Sequence, residues 1–368
     1  MNDATKITNV LIVFWNFGIG GIQKKIVDMS HYCKNGRYKN CRFHILLRDK
    51  TRFRMDNQLD NSNSKIYYRP QFFNGKLHIP FTLYMIWKIF SLKPTTLLTF
   101  LDYTSFLSII AAKVLFWQKT RIVLNEDILT SPYVDSKIKW YLIPFFYPIA
   151  DVIISPTHAS KDDLVNNFSV PKNKIVVIPN WTLMRIGKLG AKPELDFLYA
   201  GRFDKQKNLL FLLNVIKNVK ADIPDIKTCF IGDGKQKEEV LQFIKNNHLE
   251  TNVQIKNGVQ NLSPFFRNVK IFAMSSDYEG MPVVLMEAMA AGLCAVVKRC
   301  PGSNDYLLNG KTAFIENTIS GYAHRVKLLL RNPNLRTKIG KNAQNDVKKY
   351  YSEKAISKYL KTLLPNIH

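Results

Sequence analysis

The chain has 368 residues, 46% hydrophobic and 22% charged, about twice a typical domain and ordinary for a folded protein with real cores, so two domains are expected and wholesale disorder is excluded. Its five cysteines are odd in number and form no Cys-x-x-Cys pair, which argues against a disulfide framework or zinc site and fits a reducing cytoplasm. The formal net charge of +25 fits nucleic acid, an anionic membrane surface or anionic substrates, and equally an AT-rich genome that scatters lysines over solvated faces; no dense basic run of nucleic-acid type occurs.

The start, Met1 to Lys6, is polar and runs directly into an apolar strand, so no signal peptide is expected. The longest apolar stretch, Thr95 to Trp117, is broken by Asp102 and Lys113, whereas a spanning helix needs about 20 apolar residues. No transmembrane segment is expected. Short apolar runs instead alternate with amphipathic helical patterns, the signature of parallel sheets covered by helices. A strand at Val10 to Trp15 leads through a glycine loop into a helix from about Ile22. Further strands are expected at Cys41 to Leu47, Leu97 to Phe100, Arg121 to Leu124, Val152 to Ser155 and Ile175 to Ile178. Pro179 and Asn180 end that series, and Trp181 to Pro193, with Gly187, Gly190 and no strong period, reads as a linker.

A second series begins at Leu195. Phe197 to Ala200 reads as a strand, and Asn208 to Val219 as a helix with Leu209, Leu212, Leu213 and Ile216 on one face. Strand Thr228 to Ile231, the turn Gly232-Asp233-Gly234 and a helix through Asn246 follow. Strands Val253 to Lys256, Ile271 to Met274 and Ala295 to Lys298 frame a helix at Pro282 to Ala291, and the chain from Ile319 is helical and polar. Open sheets of this kind bind ligands at the carboxyl ends of their strands.

Three segments carry chemistry. In Asp277-Tyr278-Glu279-Gly280-Met281-Pro282, continuing to Gly292, Pro282 suits a helix start and Gly292 the position past its end. The helix between is apolar except for Glu287, a carboxylate costly to bury unless bonded. It serves either a structural ion pair or the hydroxyls of a ligand such as a ribose diol; Gly280 would let backbone approach that ligand, and the helix start would offer N–H groups to an anion. In Gly201-Arg202-Phe203-Asp204-Lys205-Gln206-Lys207-Asn208, cations gather where a helix dipole opposes them, at a few tenths of a kcal/mol each. A diphosphate between them would absorb that repulsion; a solvated basic loop is the plainer account, sufficient for Lys205 but weaker for Arg202. The loop Gly18-Ile19-Gly20-Gly21 permits close approach of a phosphate, but no acidic strand end follows to complete a dinucleotide fingerprint.

Together these segments resemble glycosyltransferase family 4, most strongly over Leu195 to Phe314. The match rests on Glu279 and Glu287 with seven residues between, on Gly201-Arg202 followed by Lys207-Asn208, and on the order of Gly20-Gly21, Pro179-Asn180, the basic loop, Gly232-Asp233-Gly234 and the two glutamates. The resemblance implies the GT-B fold: two Rossmann-like α/β domains, residues 1–185 for the acceptor and 186–350 for the nucleotide sugar, their parallel sheets facing across a cleft, with residues 351–368 a helix returning to the first domain. It implies a retaining, metal-independent transferase without cofactor. A hexose or N-acetylhexosamine would move from a nucleotide-diphosphate donor, UDP before GDP, to a glycan or lipid-linked acceptor in cell-surface polysaccharide synthesis. Arg202, Lys207 and Glu279 would form the catalytic set, the cations neutralising the donor diphosphate and Glu279 lying near the sugar. Glu287 would hold ribose hydroxyls, and Gly280, Met281, Pro282, Val283 and Gly232 would line the donor. Gly20 and Gly21 would offer backbone to the diphosphate, and backbone near Val259 and Leu262 would hold the base.

Two departures stand out. Where many family members carry a histidine, this chain reads Leu124-Asn125-Glu126-Asp127, so Glu126 and Asp127 either take its polar role or cap a helix; Asp102 is a further candidate contact to acceptor or sugar. The small-Gly-x-x-Glu stretch near the sugar reads Pro301-Gly302-Ser303-Asn304-Asp305 here, which points to a different sugar preference. The first half also interleaves aromatic and basic residues at Phe72-Phe73, at Phe81 to Phe90 with Trp87 and Lys88, and at Lys137 to Pro148. Ile138 to Tyr147 reads by default as a core helix, and peripheral attachment of a cytoplasmic protein to the inner, anionic face of a membrane is the alternative. A nucleic-acid-binding basic α/β protein, a glycogen-type phosphorylase, a sugar epimerase and a non-catalytic sugar-binding module are the rival classes. The first leaves a lone glutamate in an apolar helix unexplained, so no nucleic-acid partner is expected, and the second lacks a pyridoxal lysine context.

Overall fold

The computed structural model describes residues 7–34, 36–50, 55–70, 79–100, 102–134, 136–184, 193–365 and 367. Phe72, Phe73 and residues 185–192, the greater part of the expected linker, lie outside them. The chain divides into two compact units, Met1–Pro179 with Ile356–His368, and Asn180–Ala355.

The first unit interleaves strands and helices, with its second and third strands joined without an α-helix. It runs β1 (Thr8–Phe14), α1 (Gly21–Tyr32), β2 (Cys41–Leu47), β3 (Ser64–Tyr68), α2 (Ile79–Leu92), β4 (Thr96–Phe100) and α3 (Asp102–Val114). It continues with β5 (Arg121–Asn125), α4 (Thr130–Tyr133), α5 (Lys137–Phe146), β6 (Val152–Ser155), α6 (His158–Phe168) and β7 (Ile175–Val177). The seven strands are parallel in the order β3-β2-β1-β4-β5-β6-β7, with Val10 of β1 registered on Phe43 on one side and Thr96 on the other. Every residue of β4 is buried, which is why the central strands read as unbroken apolar runs.

The second unit holds β8 (Leu195–Ala200), α7 (Leu209–Lys220), β9 (Thr228–Ile231), α8 (Lys237–Asn246), β10 (Val253–Lys256), α9 (Ser263–Arg267) and β11 (Val269–Met274). Then come α10 (Val283–Ala290), β12 (Cys294–Lys298), β13 (Phe314–Glu316), α11 (Ile319–Arg331), α12 (Pro333–Tyr350) and α13 (Glu353–Leu363). Its six parallel strands run β10-β9-β8-β11-β12-β13. Alternate residues feed two cores: Phe197, Tyr199, Phe230 and Ile271 pack on one face with α7 and α11, and Leu198, Cys229, Phe272 and Ala295 pack on the other with α10. Most of α13 belongs to the first unit, where the Leu363 carbonyl accepts from Thr96 Oγ1 at 3.2 Å and Lys358 Nζ donates to the Val177 carbonyl at 3.0 Å.

Two sequence expectations change. The helix expected from Pro282 starts one residue later, with Pro282 as its extended N-cap, and Gly292 takes the left-handed φ of +80° just past its end. The helix expected to be core, α5, is a surface helix of which only Ile143 is buried; Ile138, Tyr141 and Phe145 are exposed. Among the described residues no helix is long and apolar enough to cross a membrane.

Tyr322 shows what holds the second sheet to α11. The side chain is buried, and its hydroxyl donates to the Val296 carbonyl and accepts from Met274 N–H at 3.2 Å. Tyr322→Phe removes the hydroxyl and orphans a buried N–H, so it should cost about 1–3 kcal/mol. Urea unfolding of the wild type and variant checks this; equal midpoints would contradict it.

Candidate functional site

In the second unit the strand order reverses between β8 and β11, because β9 and β10 extend the sheet to one side of β8 while β11 starts the other. The carboxyl ends of those two neighbours are where an open α/β sheet leaves room for a ligand. Both basic and acidic motifs of the sequence emerge there, one after Ala200 and the other after Met274.

Hydrogen bonds stitch the two loops together. Gln206 Nε2 donates to the Tyr278 carbonyl at 2.8 Å, Asp277 N–H donates to the Gln206 carbonyl at 2.9 Å, and Ser275 Oγ donates to the Lys207 carbonyl at 2.6 Å. Asn208 sits at φ +47°, a conformation asparagine tolerates better than most residues, and donates from Nδ2 to Asp277 Oδ1 at 2.9 Å. Lys298, at the end of β12, pairs with the same carboxylate at 2.5 Å. Sequence reasoning passed over Gln206, Ser275, Asp277 and Lys298 as functional residues; the usable signal was their place at strand ends beside the named motifs.

At the centre, Lys207 Nζ forms an ion pair with Glu279, their side chains 17% and 9% exposed. Residues 72 apart thus meet as a partly desolvated pair. An ammonium has three donors, so one carboxylate leaves donors over for a further anion. Arg202 is more exposed, its side chain 63% open to solvent, and its Nη1 pairs with Asp204 Oδ2 at 2.9 Å. Beneath the loop, the buried Tyr199 donates its hydroxyl to the Arg202 carbonyl at 2.9 Å, and burial followed by the Glu279 charge pushes its pKa up. Cys300 is likewise pushed up to about 12, first by burial and then by Glu279, so it stays a thiol and is no nucleophile at neutral pH.

Gly232 and Gly234 hold this loop from the side of β9. A Cβ on Gly232 would lie 1.9 Å from the Gly201 carbonyl oxygen, and one on Gly234 would lie 2.5 Å from that of Phe203. Phe203 N–H donates to the Asp233 carbonyl at 2.9 Å and Gln236 N–H to the Phe203 carbonyl at 2.7 Å. The glycine at 232, expected as a donor contact, also leaves no room for a side chain against the loop that carries Arg202.

Glu287 lies in α10 at 2% exposure. Gly280, Met281 and Pro282 lead into that helix and are buried, Val283 opens it, and the Met281 carbonyl accepts from Asn180 Nδ2 at 2.6 Å. Val259 and Leu262 pack half-buried against the same core, and Leu262 precedes the short α9.

The first unit has its own reversal of strand order, between β1 and β4. After β1, Gly20 is the extended N-cap of α1 and Gly21 its first residue, so the helix presents its amino end at that edge. Asp102 opens α3 just after β4, the other strand of the reversal. Glu126 and Asp127 follow β5, and neither caps a helix: Glu126 is 2% exposed and accepts from the Tyr147 hydroxyl at 2.6 Å, while Asp127 pairs with Lys25 at 2.8 Å. Lys25, which sequence reasoning missed, is a buried lysine on the inner face of α1. Its Nζ also donates to Asn125 Oδ1 at 3.3 Å and stands 5.2 Å from the Tyr359 ring centre. Burial pulls its pKa down, against the opposing pull of Asp127. Among the described residues no three His, Cys, Asp or Glu side chains converge to hold a metal ion.

Known proteins match this architecture over nearly its whole length. The family model for Glycosyltransferase Family 4 covers residues 19–182, and that for Glycosyl transferases group 1 covers residues 185–346. The chain is 30% identical over 284 residues to an N-acetylgalactosamine-N,N'-diacetylbacillosaminyl-diphospho-undecaprenol 4-alpha-N-acetylgalactosaminyltransferase of Campylobacter jejuni, covering 72% of this chain and 75% of that protein. It is 32% identical to the amylovoran biosynthesis glycosyltransferase AmsD of Erwinia amylovora over half of this chain and 53% of that one. The crystal structure of Anabaena HepE in complex with UDP-glucose superposes with a TM-score of 0.81 at 15% identity, over 96% of this chain and all of that one. Two parallel-sheet Rossmann-like units of the GT-B class, both family models and a relative matched over most of its length agree: the chain belongs to glycosyltransferase family 4 and is a glycosyltransferase.

Proposed function

We propose that the protein transfers a hexosyl or N-acetylhexosaminyl group from a UDP-sugar to a lipid-linked or glycan acceptor in cell-surface polysaccharide synthesis, with retention of configuration and without a metal. The observation that carries this reading is the stitched pair of loops at the β8–β11 reversal, which sets Lys207 against Glu279, with the more exposed Arg202 on the same loop as Lys207.

The chemistry follows from charge. As the sugar leaves, negative charge develops on the departing UDP, and fixed cations in a partly dry site stabilise it more than they stabilise the bound donor. Lys207 and Arg202 supply that stabilisation, taking the place of a metal. Glu279 orients Lys207 through one oxygen and offers the other to a sugar hydroxyl. Glu287 receives the ribose diol, as the second glutamate of the family's motif. Backbone near Val259 and Leu262 takes the base. UDP as nucleotide is supported by the UDP-glucose bound to HepE; a lipid-linked acceptor and an α-linked product, the outcome of retention from an α-linked donor, are supported by the name of the Campylobacter relative.

Incubating the protein with a panel of UDP- and GDP-sugars and an undecaprenyl-diphosphate sugar acceptor tests the reading. UDP release that depends on acceptor, insensitivity to EDTA and an α-linked product by NMR are the expected results. Release from GDP-sugars alone, loss of activity with chelator, or a β-linked product would overturn the corresponding part.

A further inference from the structure

A helix covering a sheet should bury one face and show water a polar one. On α2 the inner side is made by Phe81, Met85 and Ile89, yet the outer side repeats Ile79, Leu83, Trp87 and Phe90, each more than half exposed. On α3, Ile110 and Val114 stand one turn apart at 41% and 50% exposure, and the turn that follows carries Phe116 and Trp117 at 75% and 57%. The outer side of α5 repeats the pattern with Ile138, Tyr141 and Phe145, all above 70%. These helices lie side by side on one face of the first sheet: α2, α3 and α5 share a single core, Phe106 of α3 packs on Phe146 at 5.2 Å, and Gln118 Nε2 reaches the Phe90 carbonyl at 3.4 Å. The apolar outer sides therefore stand on the same side of the sheet, and clustered exposed apolar side chains of this kind mark an interaction surface.

The charges these helices themselves carry are nearly all of one sign. Past Asp102, every charged residue on α2, α3, the following turn and α5 is a lysine; Lys93, Lys113, Lys119 and Lys137 are exposed at its borders. Trp87 is held in place by stacking on Tyr84 at 5.7 Å and by Lys88 Nζ at 4.5 Å from its ring, so its exposed ring is ordered before any partner arrives. Aromatic rings rimmed by lysines match the interface of an anionic bilayer, where rings lodge at the headgroup level and ammonium groups meet phosphates. We propose that the outer face of α2, α3 and α5 seats the protein on an anionic lipid bilayer. The inference rests on the reading of a lipid-linked acceptor, which such seating would bring within reach of the first unit.

Flotation of the full chain with vesicles of phosphatidylcholine, alone or mixed with an equal part of phosphatidylglycerol, tests it at low and at molar salt. Flotation with the mixed vesicles at low salt, lost at molar salt and absent with phosphatidylcholine alone, is the expected result. Leu83→Gln with Trp87→Gln should lower partitioning at least about tenfold, since both side chains leave water on binding. Lys113→Gln and Lys119→Gln should each lower it roughly fivefold, and these exposed changes carry the test if circular dichroism shows the double variant misfolded. No flotation, equal flotation with both vesicles, or wild-type partitioning of all folded variants would overturn the proposal. So would light scattering that shows a dimer in solution which the double variant converts to monomer. UDP binding measured on the same samples keeps the readings apart: vesicle binding without UDP binding upholds the face and sinks the donor assignment, and the reverse sinks the face alone.

Discussion

Lys207→Met is expected to lower kcat/KM for transfer by about 10²–10³-fold, a loss of roughly 3–4 kcal/mol of transition-state stabilisation. Methionine keeps most of the apolar stem of the side chain and removes the charge. It also leaves the Glu279 carboxylate, 9% exposed, without its ion-pair partner. The effect should fall chiefly on kcat, because charge on the diphosphate grows as the glycosidic bond breaks. Steady-state UDP release checks it. A loss confined to KM would mean that Lys207 only binds the donor, and a loss under about threefold would remove it from the catalytic set. Lys207→Arg should recover only part of the activity, since the planar guanidinium cannot reproduce a compact ammonium wedged between a carboxylate and a phosphate.

The second large effect lies where no ligand atom need be touched. Gly232→Ala places a methyl carbon 1.9 Å from the Gly201 carbonyl oxygen and 2.8 Å from the Phe203 ring. The nearest obstacle is backbone, so the strand end or the loop has to move. Overpacking of this kind costs about 1–3 kcal/mol or more, and a thermal midpoint lower by about 6–12 °C is expected at the upper end of that range. Activity should drop further than stability alone requires, because the displaced segment carries Arg202, and a shift of about 1 Å in a positioning element can cost 10²-fold. A variant with wild-type midpoint and activity, measured by differential scanning fluorimetry and UDP release, would show that the close approach is not maintained in solution.

What the sequence disclosed depended on whether a property was local. The central strands are buried on both faces, so runs such as Leu97 to Phe100 and Thr228 to Ile231 announced themselves. The edge strand Ser64–Tyr68 did not, because none of its residues is fully buried and no apolar run marks it. An edge strand of the second sheet, Phe314–Glu316, is only three residues long. The α5 helix misled for the converse reason: its outer face is as apolar as its inner one, and periodicity reads a helix apolar all round as core.

In the candidate site, Arg202 and Lys207 stand out in the sequence as cations beside a helix start, and Glu279 through the resemblance to family 4 alone. Their mutual arrangement does not. The Lys207–Glu279 pair, the Asn208–Asp277–Lys298 cluster and the Gly232–Gly201 approach all join residues far apart in the chain, and only the strand order brings them together. Lys25 illustrates the same limit in the first unit. A lysine in an amphipathic helix reads as solvated until Asp127, about a hundred residues on, is found 2.8 Å away.

The central claim is that the loops after β8 and β11 receive the diphosphate of a nucleotide donor. Isothermal titration of the wild type and of Lys207→Met with UDP and with uridine addresses it directly. The wild type should bind UDP at least about 100-fold more tightly than uridine, a difference of roughly 2.7 kcal/mol carried by the phosphates, and Lys207→Met should lose most of that difference while binding uridine unchanged. Equal affinity for UDP and uridine in the wild type, or an undiminished preference in the variant, would contradict the claim.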